Sequence, residues 1–151
     1  MAEKTYVINA EGYRLGRLAS KVAKLLLQGH SVKIYNAEKA VITGTKNSLL
    51  EHYTMLRGRR QFKSHKVVSV WYPTLPHTIL RYTILRMLPR RKPKGRAAAR
   101  RLEVKSGVAK YAGEPIEFDD AKLLKPVNRS GKIIRYMTLE ELSKLLRGGR
   151  M

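Results

Sequence analysis

From His52 to Leu102 the chain runs 51 residues without an aspartate or a glutamate while carrying 14 lysines and arginines. No neighbour within the segment can neutralise them, and an unpaired charge is too costly to bury. Charges this dense repel one another, which sets the segment apart from an ordinary solvated face. The densest part is "RMLPRRKPKGRAAARRLEVKSG", Arg86–Gly107. The flanking segments mix signs as ordinary solvated surfaces do, with 8 basic and 4 acidic residues in Met1–Glu51 and 10 and 7 in Glu103–Met151. A formal net charge of +21 and a pI near 10.6 point to a polyanionic partner, of which nucleic acid is the commonest in a cell.

The remaining totals describe a chain that folds. With 151 residues and 43% hydrophobic content, one domain is expected, burying roughly 68–70% of the surface its unfolded chain exposes. The absence of cysteine excludes disulfides, thiolate metal sites and cysteine nucleophiles, and suits a reducing compartment, with cytoplasm as the default. "MAEKTYVINAEG" lacks the basic-then-apolar order of a secretory signal, and no apolar run approaches the roughly 20 residues of a membrane span. The charge lies in stretches broken by proline and glycine, which fits a membrane-surface helix poorly.

Strand and helix patterns alternate. Thr5–Ala10 reads as a buried strand, and Leu15, Leu18, Ala19, Val22, Leu25 and Leu26 recur at helical spacing ahead of Gly29. Ser31–Ala37 and Ala40–Gly44 are short β-rich runs, and a helix is expected over Asn47–Arg57. Gly58–Pro76 has no helical period and reads as a long basic loop with at most one strand. A helix over His77–Leu88 ends at Pro89, a short one covers Gly95–Arg101, and "LEVKSG" is a candidate last strand. The alternation predicts a mostly parallel sheet with helices on its faces. In the tail, "TLEE" at Thr138–Glu141 is a capping box opening one amphipathic helix.

Other chemistries fit less well. "GYRLG" has glycines only at Gly12 and Gly16, short of a dinucleotide fingerprint, although the helix start near Arg14 and Arg17 is a place where a phosphate can sit. His30, His52, His65 and His77 stand apart, without metal-ligand spacing. Glu117, Asp119 and Asp120 lie in an irregular stretch with no nucleophile motif and read as a solvated turn. Arginine forks beside flexible backbone suit phosphate oxygens, and Phe62, Trp71 and Tyr72 suit either base stacking or a core. No recognition helix for DNA is legible.

Taken together, "GYRLGRLASKVAKLL", "YNAEKAVITG" and "TILRMLPRRKPKGRAAARRLEVKSG" closely resemble the large-subunit ribosomal protein L-thirteen family. The resemblance runs in order from Tyr6 to about Gly113, and "YMTLEELSKLL" looks like the tail of the archaeal and eukaryotic branch. It implies an α/β fold: a three-layer α/β/α domain over residues 1–113 with a four-stranded, mostly parallel sheet and a basic loop. A C-terminal extension over 114–151 would end in a short helix. It also implies a cytoplasmic, ribosome-bound protein with no catalysis, cofactor or metal. Its partners would be large-subunit rRNA and neighbouring large-subunit ribosomal proteins, with no membrane and no small-molecule substrate.

Carried onto this chain, the family's RNA-binding loop falls on Arg57, Arg59, Arg60, Lys63, His65 and Lys66. Its basic helix end falls on Arg81, Arg86, Arg90, Arg91, Lys92, Lys94, Arg96, Arg100 and Arg101. One position departs from the family pattern. Where the family commonly reads R-G-M-L-P, this chain has Leu85-Arg86-Met87-Leu88-Pro89, so a side-chain contact from Arg86 is expected in place of a close backbone approach. The competing reading is a free-standing nucleic-acid- or nucleotide-binding protein on a similar α/β domain, which a mononucleotide competition would reveal.

Overall fold

The computed structural model describes residues 3–58, 60–63, 66–69, 71–123, 126–127 and 130–148, with 60–63 and 66–69 described by their backbone. Strand β1 (Thr5–Asn9) leads through helix α1 (Leu15–Leu27) into β2 (Ser31–Tyr35), and the two strands pair in parallel from Thr5↔Ser31 to Asn9↔Tyr35. Parallel neighbours need a crossover, and α1 supplies it. Its apolar stripe buries Leu15, Leu18, Ala19, Val22, Ala23 and Leu26. Gly29 ends the helix at φ 102°, in the left-handed region where a side chain is strained.

The chain continues through β3 (Val41–Thr43), α2 (Lys46–Gly58), β4 (Arg60–Lys63), β5 (Lys66–Ser69), α3 (Pro76–Arg86), α4 (Pro93–Arg100) and β6 (Leu102–Val104). It closes with β7 (Glu114–Pro115), β8 (Tyr136–Thr138) and α5 (Leu139–Gly148). The main sheet has four strands in the order β6-β2-β1-β7, and every pair in it is parallel. Helices flank it, as expected for alternating strands and helices. Val32 and Ile34 of β2 and Leu102 and Val104 of β6 are buried at alternate positions, the period-two signature of a strand facing a core. Ile79, Leu80 and Ile84 of α3 and Leu139 and Leu142 of α5 join Ile8, Leu18, Leu26 and Ile34 in one cluster.

Three elements differ from the sequence expectation. The β-rich run at Ala40–Gly44 forms β3, yet it lies outside the main sheet and pairs antiparallel with β8 from Val41↔Thr138 to Thr43↔Tyr136. The fourth sheet strand is instead β7, beyond the run read as the last strand, and it pairs with β1 at Tyr6↔Glu114 and Val7↔Pro115. Pro115 is tolerated because β7 is an edge strand, and the next amide, of Ile116, donates to the Val7 carbonyl at 3.1 Å. The stretch read as a loop with at most one strand holds an antiparallel hairpin, β4 with β5, in register Arg60↔Ser69 to Lys63↔Lys66.

The tail packs onto the body. Helix α5 contacts α2 and α3, and the capping box forms as expected: the Glu141 amide donates to Thr138 Oγ1 at 3.2 Å and the Thr138 amide to Glu141 Oε2 at 3.3 Å.

Candidate nucleic-acid interface

The basic surface is built around the junction of α3 and α4. Helix α3 starts with Pro76 at its first position and anchors itself by burying Ile79, Leu80 and Ile84, which leaves Arg81 and Arg86 exposed. Met87 caps its end and Leu88 drops back into the core. A tight turn follows, in which the Arg90 amide donates to the Leu88 carbonyl at 2.8 Å and the Lys92 amide to the Pro89 carbonyl at 3.0 Å. Pro93 then opens α4, whose buried Gly95 and Ala98 hold it down while Arg90, Arg91, Lys92, Lys94, Arg96 and Arg100 stay exposed.

The turn is tightened by one contact. A Cβ on Gly95 would lie 2.1 Å from the Pro89 carbonyl oxygen, so only glycine lets α4 fold back this closely on the end of α3.

Among the described residues no carboxylate compensates this charge. The ion pairs among the described residues are Lys4–Glu114, Lys21–Asp120, Lys39–Glu11, Lys105–Glu103, Lys122–Glu117 and Lys144–Glu140, and none uses a cation from residues 52–102. The first turn of α4 also carries no acid, so the positive end of its backbone dipole adds to Arg90, Arg91, Lys92 and Lys94. That is the electrostatics of an anion-binding ridge.

Two of the basic residues have internal work as well. Arg57 donates from Nη1 to the Leu146 carbonyl in the last turn of α5 at 2.9 Å, and Arg101 donates from Nη1 to the Gly29 carbonyl at the end of α1 at 3.2 Å. Both place a cation at a helix C-terminus, where the dipole favours it. Arg86 extends over the Tyr82 ring, 5.6 Å from its centroid, and its Nη1 lies 3.4 Å from the Tyr82 hydroxyl. Its side chain is exposed.

The loop residues divide differently. Arg60, Lys63 and Lys66 sit on the strands of the hairpin, while Arg59 and His65 lie outside the described residues. The three described histidines stay apart. His30 stacks edge-on against Tyr6, His52 against Tyr53, and His77 Nδ1 lies 3.3 Å from Ser106 Oγ. Among the described residues no group of three or more His, Cys, Asp or Glu could hold a metal ion, and no helix is long and apolar enough to cross a membrane.

The start of α1, weighed as a phosphate site, is covered by the chain itself. The Arg14 amide donates to the Ala121 carbonyl at 2.9 Å, Arg17 Nη1 to the Asp120 carbonyl at 3.1 Å, and the Leu123 amide to the Gly12 carbonyl at 2.9 Å. The Asp120 carboxylate beside Lys21, at 3.6 Å, would repel a phosphate there.

Sequence reasoning offered Tyr72 for stacking or for the core, but it did not find the row of tyrosines to which that residue belongs. Tyr53, Tyr72 and Tyr82 stack edge to face, with centroids 5.4 Å apart for Tyr53–Tyr72 and 5.0 Å for Tyr72–Tyr82. Trp71 adds to the row at 6.2 Å from Tyr82. Burial raises the Tyr53 hydroxyl well above the usual phenol range and raises that of Tyr72 as well. Trp71 and Tyr72, adjacent in sequence, have opposite fates: Tyr72 is partly buried and Trp71 is 69% exposed.

A model of the family described as Ribosomal protein L13 matches residues 3–110, nearly three quarters of the chain. The chain belongs to the Ribosomal protein L13 family. Curated relatives, each named large ribosomal subunit protein uL13, are similar almost end to end. The protein from Methanocaldococcus jannaschii is 42% identical over 141 residues, covering 93% of this chain and 96% of its own length. That from Archaeoglobus fulgidus is 40% identical over 141 residues, covering 93% of this chain and 86% of its own length. That from Sulfurisphaera tokodaii is 35% identical over 150 residues, covering 98% of each. The L13 match takes in the whole basic ridge and the hairpin, while β7, β8 and α5 lie beyond it.

Proposed function

We propose that this protein is a non-catalytic structural constituent of the large ribosomal subunit, resident on cytoplasmic ribosomes, that grips rRNA with the basic ridge at the α3–α4 junction and with the β4–β5 hairpin. The observation that carries this is the uncompensated charge. The exposed cations from Arg81 to Arg100 have no carboxylate partner among the described residues, and an external polyanion would neutralise them. Membership of the L13 family and the names of its relatives support large-subunit rRNA as that polyanion. Neighbouring ribosomal proteins complete the environment.

The mechanism is electrostatic and positional. Lysines and arginines displace condensed counterions from the RNA backbone, and arginine forks grip phosphate oxygens two bonds at a time. The α/β body fixes where those forks stand. Arg57 and Arg101 each keep further guanidinium donors beyond the one given to a helix end. Arg86, poised over Tyr82, offers a side-chain contact where the family usually has glycine.

Sedimentation of the tagged full chain from lysate tests the reading. Co-migration with the large subunit through a moderate-salt wash, lost on ribonuclease treatment, is the expected result. A protein that stays at the top of the gradient, or that mononucleotide releases from rRNA, overturns it.

A further inference from the structure

The aromatic row at the foot of α3 is not explained by the phosphate-binding ridge. Trp71 is the chain's one tryptophan, and at 69% exposure it is a large apolar surface left to solvent. It is nevertheless held in place. Its ring meets Tyr82 edge to face at an interplanar angle of 73°, Tyr82 meets Tyr72, and Tyr72 meets the buried Tyr53 of α2. The row runs from the core to the surface and presents its outermost ring. Beside it lies a cleft of about 400 Å³, lined by Trp71, Tyr72, Pro73, Leu75 and Arg57 among others. That volume falls at the lower end of the roughly 300–1,000 Å³ of small-ligand sites.

The charge around this cleft selects its occupant. Every lining residue comes from the carboxylate-free stretch of the chain, and Arg57 is among them. Arg86 stands over Tyr82 in the same row, and the chain passes from it directly into the turn that bears Arg90 and Arg91. Aromatic rings interleaved with arginines and free of acids match a single RNA strand, whose unpaired bases stack on aromatic faces while its phosphates take the cations. The geometry points to a stacking seat for one unpaired rRNA nucleobase on Trp71, at the edge of the phosphate ridge. This rests on the rRNA reading above and adds base contact to it.

The single tryptophan makes the test direct. The full-length protein is titrated with deproteinised large-subunit rRNA and, separately, with inorganic polyphosphate, while binding and tryptophan emission are followed together. Quenching by rRNA but not by polyphosphate is expected. Trp71→Leu should lose between about 5-fold and 150-fold in rRNA affinity, the range equivalent to one base–aromatic stack of about 1–3 kcal/mol, and Trp71→Phe should recover part of it. The slope of affinity against salt should stay the same in both variants. Tight rRNA binding with unchanged emission and full affinity in Trp71→Leu overturns the stacking seat and leaves the ridge standing. Absence of rRNA binding overturns both. If free rRNA fails to quench but Trp71 is shielded from oxidation in assembled subunits, the occupant is a protein segment and the seat for a base is refuted.

Discussion

The carbonyl oxygen of Pro89 occupies the space where a side chain on Gly95 would begin, at 2.1 Å from the position of its Cβ. The contact joins the end of α3 to the first turn of α4, so the spacing of Arg90, Arg91 and Lys92 depends on it. Gly95→Ala must force the two apart. Overpacking of this kind costs about 1–3 kcal/mol. At roughly 2–4 °C per kcal/mol for a chain of this size, the melting temperature should fall by about 2–12 °C. RNA affinity should fall with it, since the ridge is displaced. A thermal melt and a binding isotherm on the same variant check both, and an unchanged melt would mean that α4 can slide without loss.

Replacing Arg90, Arg91 and Lys92 together by glutamine should weaken rRNA binding and flatten its salt dependence. If about six residues of the surface meet phosphate, the log–log slope is roughly −4 to −5, and removing three contacts should bring it nearer zero by about 2–3. Affinity measured at several salt concentrations decides this. An unaltered slope would place the phosphate contacts elsewhere on the chain.

Arg101 and Arg91 should behave differently although both are arginines of one basic segment. Arg101 is bonded to the Gly29 carbonyl, and losing a charge-assisted bond of this kind costs about 1.5–3 kcal/mol. Arg91 is exposed, so Arg91→Ala should shift folding stability by no more than about 0.5 kcal/mol. Urea unfolding of the two alanine variants without RNA separates them, and equal stability would contradict the capping role of Arg101.

Alkaline pH should destabilise the fold through Tyr53. Burial raises its hydroxyl pKa above the usual value of 10.0, so the folded state holds the proton longer than the unfolded state does. The associated stability is fully present below about pH 10 and is lost as pH climbs from there towards the folded value. Melting temperatures between pH 9 and pH 11.5 should fall less steeply for Tyr53→Phe than for the wild type. Parallel curves would assign the alkaline loss to other groups.

Much of this architecture was legible where an element is long enough to show a period. Helix α1 declares itself through Leu15, Leu18, Ala19, Val22 and Leu26 ahead of Gly29, and α5 through the reciprocal bonds of Thr138 and Glu141. The two-residue β7 has no period to read, and its proline argues against a strand until the edge position is known. β3 looked like any short β-run, because its partner β8 lies far along the chain and local sequence does not encode such pairings. The hairpin was hidden by charged residues and by the lack of a characteristic glycine turn between Lys63 and Lys66. The ridge was visible as a charge pattern. The use of Arg57 and Arg101 as helix caps was not, since it depends on which distant carbonyl each reaches.

The pairing of β1 with β7 sets the order in which the protein can be finished. Lys4, just ahead of β1, meets Glu114 in an ion pair spanning 110 residues of sequence. During synthesis the first strand therefore emerges early and keeps one edge open until Pro115 has been made, after all 14 cations of the middle segment. Contacts of such long range form slowly, and an open strand edge is a template for pairing with other chains. A newborn copy thus passes through a stage in which it is both unfinished and intensely cationic. In that interval it is vulnerable to sticking to whatever RNA or strand it meets first.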